Sequence, residues 1–239
     1  MFVTNMFAMG QSYMALQSRN RRERPSKPAL SREGIIRAAL ALFHEEGLAK
    51  ITMRRVAAVL DTGPASLYVY ISNTEDLHAE ILDALLAGIA APSSPADWRG
   101  RLKGTLRSYM SVLFEHPELA RMAMSTMPSG VNYLALVEKI LALLKEGGVP
   151  DAEAAWAVDL LLLYATAQAA EKAAWKASPR SPSDFSALTA AIEAADAEAL
   201  PNITRLGGDL LSGRGERLDW GFDVLINGIL MTRRAETKA

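Results

Sequence analysis

The chain of 239 residues has no cysteine. That excludes disulfides, thiolate metal ligands and a cysteine nucleophile, and it fits a reducing cytoplasm. Histidine is scarce: only His44, His78 and His116 occur, each on a separate segment. The stretch HEEGL at 44–48 has no second histidine four residues on, so it is not a zinc-protease motif. GGDLLSGRG at 207–215 follows no predicted strand, so it is not a phosphate-binding fingerprint. With no nucleophile–base constellation and no metal or cofactor motif in view, an enzyme is not expected. No apolar run reaches the length of a membrane span. The closest, 154–170, is interrupted by Asp159, Thr166 and Gln168 and reads as a helix buried on several sides. β-branched and aromatic residues are sparse while alanine and leucine dominate, which predicts an all-α fold.

Net charge is −1, but it is unevenly spread. Residues 19–73 hold ten Lys/Arg against five Asp/Glu, and the chain beyond them is acidic. A basic front suggests an anionic partner there. Residues 1–18 are uncharged and lack the basic start and continuous apolar run of a signal peptide. They read as a disordered leader or a mis-assigned start. The following RNRRERPSK is a short basic arm, either a solvated tail or a minor DNA contact. Together, residues 1–30 are a leader and arm.

Helical punctuation begins at Ser31, a plausible N-cap for a helix over 32–46 with Ile35, Ala39, Leu42 and Phe43 on one face and Gly47 as its stop. Thr52 starts a second helix through Val56, Val59 and Leu60. Asp61-Thr62-Gly63 breaks it, and Pro64 opens a very short third helix ending near Tyr70. Asn73 caps a fourth helix reaching about Ala90, with Glu75 and Asp76 in its first turn. PSSPA at 92–96 predicts a domain boundary. Helices are expected beyond it near 97–115, 117–125, 129–146, 152–177, 184–199 and 215–234. No internal repeat is present.

Two short helices joined by a three-residue break form either a helix-turn-helix, whose second helix enters the major groove, or an ordinary αα-corner. The residues favour the first. The helix ending EEG, T-x-R-x-V-A at 52–57, L-Y-x-Y at 67–70 and N-x-E-x-L at 73–77 resemble the N-terminal domain of the TetR (tetracycline-repressor) family of bacterial transcription regulators. The resemblance covers residues 31–91, with the helix-turn-helix at 52–71, and implies a C-terminal effector-binding and dimerisation domain over 97–234. Two departures stand out. Asp61-Thr62-Gly63 replaces the usual Gly-Val-Ser of the turn, where aspartate can take the left-handed conformation. Thr74 stands where the family often has a phosphate-contacting lysine.

The resemblance assigns contacts to operator DNA. Thr52 and Arg54 should meet phosphate, and Arg55 is a further contact or a solvated charge. Pro64, Ala65 and Ser66 face base edges, the first two with apolar contact only. Tyr68 and Tyr70 suit phosphate and sugar, with packing under the fourth helix the alternative for Tyr68. Thr74 offers at most a hydroxyl or backbone contact. Leu67 and Ile71 are core. No lysine or arginine lies on 63–71, so specificity per half-site is modest and a dimer on a near-palindromic operator is implied.

In the C-terminal part, Trp156, Leu160, Leu163 and Ala167 on one helix and Phe222, Leu225 and Ile229 on the last are the expected homodimer interface, or else central helices of a monomer. Tyr109, Met122, Met124, Tyr133, Tyr164, Gln168 and Trp175 are candidates to line a pocket for a small hydrophobic effector, or else plain core. The function implied is a ligand-responsive repressor in the cytoplasm, released from its operator by that effector. The rival is a helical protein-interaction module without specific DNA binding.

Overall fold

The computed structural model describes residues 29–89, 97–126, 128–213 and 215–234. Eleven α-helices and no strand occur among them. The leader and basic arm at 1–28 and the expected boundary at 92–96 lie outside the described residues.

Helix α1 is Arg32–Glu46, opened by Ser31, whose hydroxyl accepts from the Gly34 N–H at 3.1 Å. Gly47 ends it at φ 78°, in the region glycine tolerates. A single 3₁₀ turn, Leu48–Lys50, leads to α2, Met53–Val59, capped by Thr52 on the Arg55 N–H at 3.2 Å. Helix α3 is only Pro64–Leu67. It is shorter than expected: Tyr68–Tyr70 continue as turns, with the Tyr70 and Ile71 N–H groups both bonded to the Leu67 carbonyl. Helix α4 is Thr74–Leu86, capped by Asn73 on the Asp76 N–H at 2.7 Å, and it stops short of Ala90. Ile35, Ala39, Val56, Ala57, Leu67, Leu77 and Ile81 fill the head's core, all at or near zero exposure. Ala57 is buried where α2 meets α3, so the two axes approach closely there.

The body comprises α5 (Trp98–Glu115), α6 (Pro117–Ala123), α7 (Val131–Glu146), α8 (Asp151–Ala177), α9 (Ser181–Glu193), α10 (Pro201–Leu211) and α11 (Arg217–Met231). Helix α8 is its axis and packs against α5, α6, α7 and α11. Its buried face is small, with Ala154, Ala157, Ala165, Ala169 and Ala173 at helical spacing, which lets the neighbours approach. Helix α11 is pinned to α5 by Lys103–Asp223 at 2.8 Å, by Arg107–Asp219, and by Arg99 donating to Asn227 at 2.9 Å.

The sequence reading missed one helix. The expected element at 184–199 is α9, which begins and ends earlier, and a separate α10 follows. Proline at its first position was the available signal. These two helices pack on each other, and neither has a fully buried residue.

Candidate DNA-reading head and effector cavity

The turn between α2 and α3 is made by Asp61, the one non-glycine residue with positive φ (49°) among those described. The Asp61 N–H bonds the Ala58 carbonyl at 3.2 Å and the Thr62 N–H bonds the Ala57 carbonyl at 3.0 Å. That is a Schellman closure with aspartate in the position usually held by glycine. Gly63 then takes the N-cap position of α3 without a side-chain bond.

This geometry turns one surface outward. Thr52, Arg54, Pro64 and Ala65 are exposed, and Ser66 and Thr74 are half-buried. Tyr68 is 54% exposed, so it does not pack under α4. Val69 is exposed at 79%, an apolar side chain that sequence reasoning left unassigned. It points away from the buried pair Leu67 and Ile71, and its position between the two tyrosines was the signal. Arg55 is neither free nor simply solvated: it forks onto Glu46 of α1, with Nε to Oε2 at 3.3 Å and Nη2 on Oε1. That bond holds the Glu46 carboxyl below its ordinary value. Both partners are exposed, so the pair adds little stability. Tyr70 donates its hydroxyl to the Leu30 carbonyl at 2.8 Å.

The head is joined to the body by a buried carboxylate. Asp83 of α4, 9% exposed, accepts from the Asn132 N–H at 3.3 Å, the Asn132 side-chain amide at 2.9 Å and the Tyr133 N–H at 2.9 Å. These are first-turn donors of α7, whose own N-cap, Gly130, has no side chain to offer. A Cβ on Gly130 would stand 2.1 Å from the Asp83 carboxylate, so the close fit requires glycine. A second joint sets His116 edge-on to Phe43 of α1, with ring centroids 4.7 Å apart.

Tyr133 also borders a cavity of about 480 Å³ among α5, α6, α7 and α8, with Tyr109, Met124, Pro128, Asp159, Leu162, Leu163 and Thr166 in its wall. Three of the expected lining residues are brought together: Tyr109, Met124 and Tyr133. Met122, Tyr164, Gln168 and Trp175 are not among its lining residues. Tyr164 instead packs edge-on to Phe222 of α11, at 5.2 Å, over Gly221, where a Cβ would meet its hydroxyl at 2.0 Å. Trp175 is exposed near the end of α8. Thr166 and Asp159, which sequence reasoning had noted only as interruptions of an apolar run, turn out to be polar members of the wall.

The polar chemistry of the cavity follows from its bonds. The Thr166 hydroxyl donates to the Leu162 carbonyl at 2.8 Å, so in the 2.9 Å contact with Tyr109 the phenol is the donor. Burial pushes the Tyr109 phenol up to about 12, partly offset by that bond to Thr166. Burial, and then the charge of Asp159, raise Tyr133. Both therefore stay protonated at neutral pH. Tyr109 presents lone pairs, while the Tyr133 hydroxyl has no hydrogen bond among the described residues.

One expected interface residue is corrected. Phe222 is fully buried in the chain's own core, because α11 turns Phe222 and Ile226 toward α8. The outward apolar residues of α11 are Trp220, Val224 and Met231, and those of α8 are Trp156, Leu160 and Leu163, with Trp175 near its end. Ala167, Leu225 and Ile229 are half-buried. Between the two helices runs a groove lined by Trp156, Leu160, Gly228 and Ile229, where the Arg234 guanidinium lies over the Trp156 ring at 3.9 Å.

A four-helix head with an outward-facing helix-turn-helix, latched to an all-α body that holds an open cavity, defines the class: a one-component DNA-binding regulator. Comparison with known proteins gives the family. The model of bacterial regulatory proteins of the tetR family matches residues 35–81, and that of the tetracyclin repressor-like C-terminal domain matches 91–233. The chain belongs to the TetR family of transcription regulators. Among solved structures, SCO7704 of Streptomyces coelicolor, assigned to transcription regulation, is 48% identical. It superposes at a TM-score of 0.73 over 89% of this chain and 100% of its own. ActR of the same organism, in complex with actinorhodin, is 31% identical with a TM-score of 0.73, over 84% of this chain and 96% of its own. The repressor DrrR1 of Streptomyces coeruleorubidus is 33% identical over 59% of this chain, a match spanning about half (53%) of DrrR1's length. No helix among the described residues is long and apolar enough to cross a membrane.

Proposed function

We propose that the protein is a cytoplasmic repressor that holds a near-palindromic operator as a homodimer and releases it when a small apolar effector fills the cavity. The observation that carries this reading is Asp83. One carboxylate of the head's last helix caps the helix whose Tyr133 borders the cavity, so the two sites lie one hydrogen bond apart. A ligand that prefers a different setting of α7 must move α4, and it can do so only by its differential affinity for the two settings.

At the operator, Thr52 and Arg54 meet phosphate, and Arg55 serves them by bracing α2 against Glu46. Pro64, Ala65 and Ser66 face base edges, Tyr68 lies against the sugar-phosphate backbone, and Thr74 gives a hydroxyl contact. The subunits join through Trp156, Leu160, Leu163 and Ala167 of α8, and through Leu225, Ile229, Trp220, Val224 and Met231 of α11. Such a face covered by a second copy has the apolar core expected of a stable homodimer.

The cavity wall specifies the effector's chemistry. Leucine, methionine and proline surfaces take an apolar, ring-containing body, the Tyr109 lone pairs accept from a hydroxyl, and the Tyr133 hydroxyl donates a hydrogen bond to a carbonyl. At about 480 Å³ the cavity lies within the ~300–1,000 Å³ of small-molecule sites. Since ActR is known in complex with actinorhodin, that compound is a natural first probe.

The test is fluorescence anisotropy of the duplex upstream of the protein's own gene, titrated with ring-containing hydroxy-ketones including actinorhodin. Saturable, salt-sensitive binding that one compound weakens about 5–150-fold is expected. Equal, weak binding to every duplex would instead point to a helical interaction module. Binding that no compound alters while thermal shift shows one bound would remove the coupling.

A further inference from the structure

The cavity wall is polar in places but charged in only one. No lysine, arginine or histidine is among its lining residues, and the phenols of Tyr109 and Tyr133 stay neutral. Among the described residues, Asp159 is thus the one formal charge in the wall, and it makes no hydrogen bond or ion pair with them. Other acids that face a neighbouring helix of the body have their cation: Asp219 has Arg107, Asp223 has Lys103 and Glu146 has Arg101. The charge is also felt inside, since it adds to burial in raising the Tyr133 phenol. Asp159, Leu162 and Thr166 stand at i, i+3 and i+7 on α8 and share one face. Thr166 and its partner Tyr109 are 5% and 3% exposed, whereas Asp159 is exposed. The carboxylate therefore stands at the mouth and the Tyr109–Thr166 pair at the floor, about 10 Å apart along the helix axis at 1.5 Å per residue.

We propose that the effector is a cationic ring compound whose protonated amine sits on Asp159 at the mouth, with its rings against Leu162 and Pro128 and a carbonyl accepting from Tyr133. The inference rests on the reading of this cavity as the effector site, and it narrows the effector from ring compounds in general to organic amines. A neutral ligand that covers Asp159 strips water from an unpaired carboxylate and returns nothing for it. An amine replaces that water with a charge-assisted hydrogen bond. An anionic ligand is repelled by the same carboxylate and finds no cation in the wall, so one side chain both selects and excludes.

The experiment is isothermal titration calorimetry of the full chain with two matched probes, anthraquinone carrying an aminomethyl or a hydroxymethyl group at the same ring position. They share rings, carbonyls and shape, and differ by one charge at neutral pH. In the parent the amine should bind about tenfold tighter than the alcohol, the lower end for a hydrogen bond to a charged group, as suits a solvent-screened mouth. Asp159→Asn keeps the size of the side chain, removes its charge and breaks no bond within the chain; a thermal melt confirms that it folds. It should bring the amine down to the affinity of the alcohol and leave the alcohol unchanged. Tyr133→Phe should weaken both probes alike, because each loses the same donor to its carbonyl. Equal binding of the two probes in the parent, or a preference for the amine that survives Asp159→Asn, overturns the amine assignment while the cavity stands as the effector site. Saturable binding of neither probe, or binding of both that Tyr133→Phe leaves untouched, overturns the cavity reading itself, and the amine with it.

Discussion

Replacing Asp83 by alanine tests whether the head and the body are one machine. The carboxylate is 9% exposed and accepts three hydrogen bonds, two of them at 2.9 Å. Hydrogen bonds to a charged group contribute about 1.5–3 kcal/mol each, and the 3.3 Å bond from Asn132 N–H is weaker. Water entering the vacated space would recover part of that, as would relief from burying a charge. A net loss of about 2–4 kcal/mol in urea denaturation is expected, nearer to losing a buried polar cap than a surface one. Asp83→Asn should lose about half as much, because the amide keeps one acceptor oxygen and turns a donor toward α7. Gly130→Ala supplies an independent arm, since its methyl would collide with the same carboxylate at 2.1 Å. If both substitutions break one latch, the double variant should be far less destabilised than the sum of the singles. The functional readout is separate. In a folded Asp83→Ala protein operator affinity should persist, while the effector's power to release DNA falls toward unity. A stability change under about 0.5 kcal/mol, strict additivity with Gly130→Ala, or full effector response in Asp83→Ala would each refute the latch.

Three further outcomes follow from the geometry. Tyr109→Phe should cost about 1 kcal/mol of stability by losing its bond to Thr166, and it should weaken effector binding in thermal-shift titration. Phe222→Ala and Leu163→Glu should fail differently: the first leaves a core cavity and costs about 3–5 kcal/mol, while the second leaves the subunit folded but monomeric by sedimentation. His116 gives a pH dependence. Burial pushes its imidazole down, with His44 adding to and Glu115 opposing the shift. The unfolded chain thus binds the proton more readily, so this contribution is present above an unfolded pKa of about 6.5 and is lost as pH falls below it. The urea midpoint of His116→Gln should accordingly decline less between pH 7 and 5 than that of the parent.

How far the sequence discloses this molecule depends on the range of the interaction that decides each feature. Three of the head's four helix starts are made by two residues three apart: Ser31 with Gly34, Thr52 with Arg55, Asn73 with Asp76. Local chemistry writes them, so they are legible, as is the left-handed turn at Asp61. The body passes this test only at its first helix, where Asp97 accepts from the Gly100 N–H at 2.8 Å. Helices α8 and α11 are each apolar on more than one side, so spacing gives their stripes but not which stripe faces the chain's own core. That is why Phe222 and Tyr164 were misplaced, although Gly221, needed under the Tyr164 ring, carries the answer in sequence. Glycines hid α10 in the same way. Gly207 reads as a helix breaker, at about 1 kcal/mol against alanine, yet a Cβ there would press to 2.8 Å from Ile192 of α9. Its value is packing across the hairpin, which no local rule prices. The latch is the extreme case, since Asp83 meets Asn132 and Tyr133 across 49 and 50 residues of chain. A regulator whose reading head is specified locally and whose coupling is specified at long range can exchange effectors by changing the body while the head keeps its fold. The carboxylate at 83 and the glycine at 130 are then the pair that must change together.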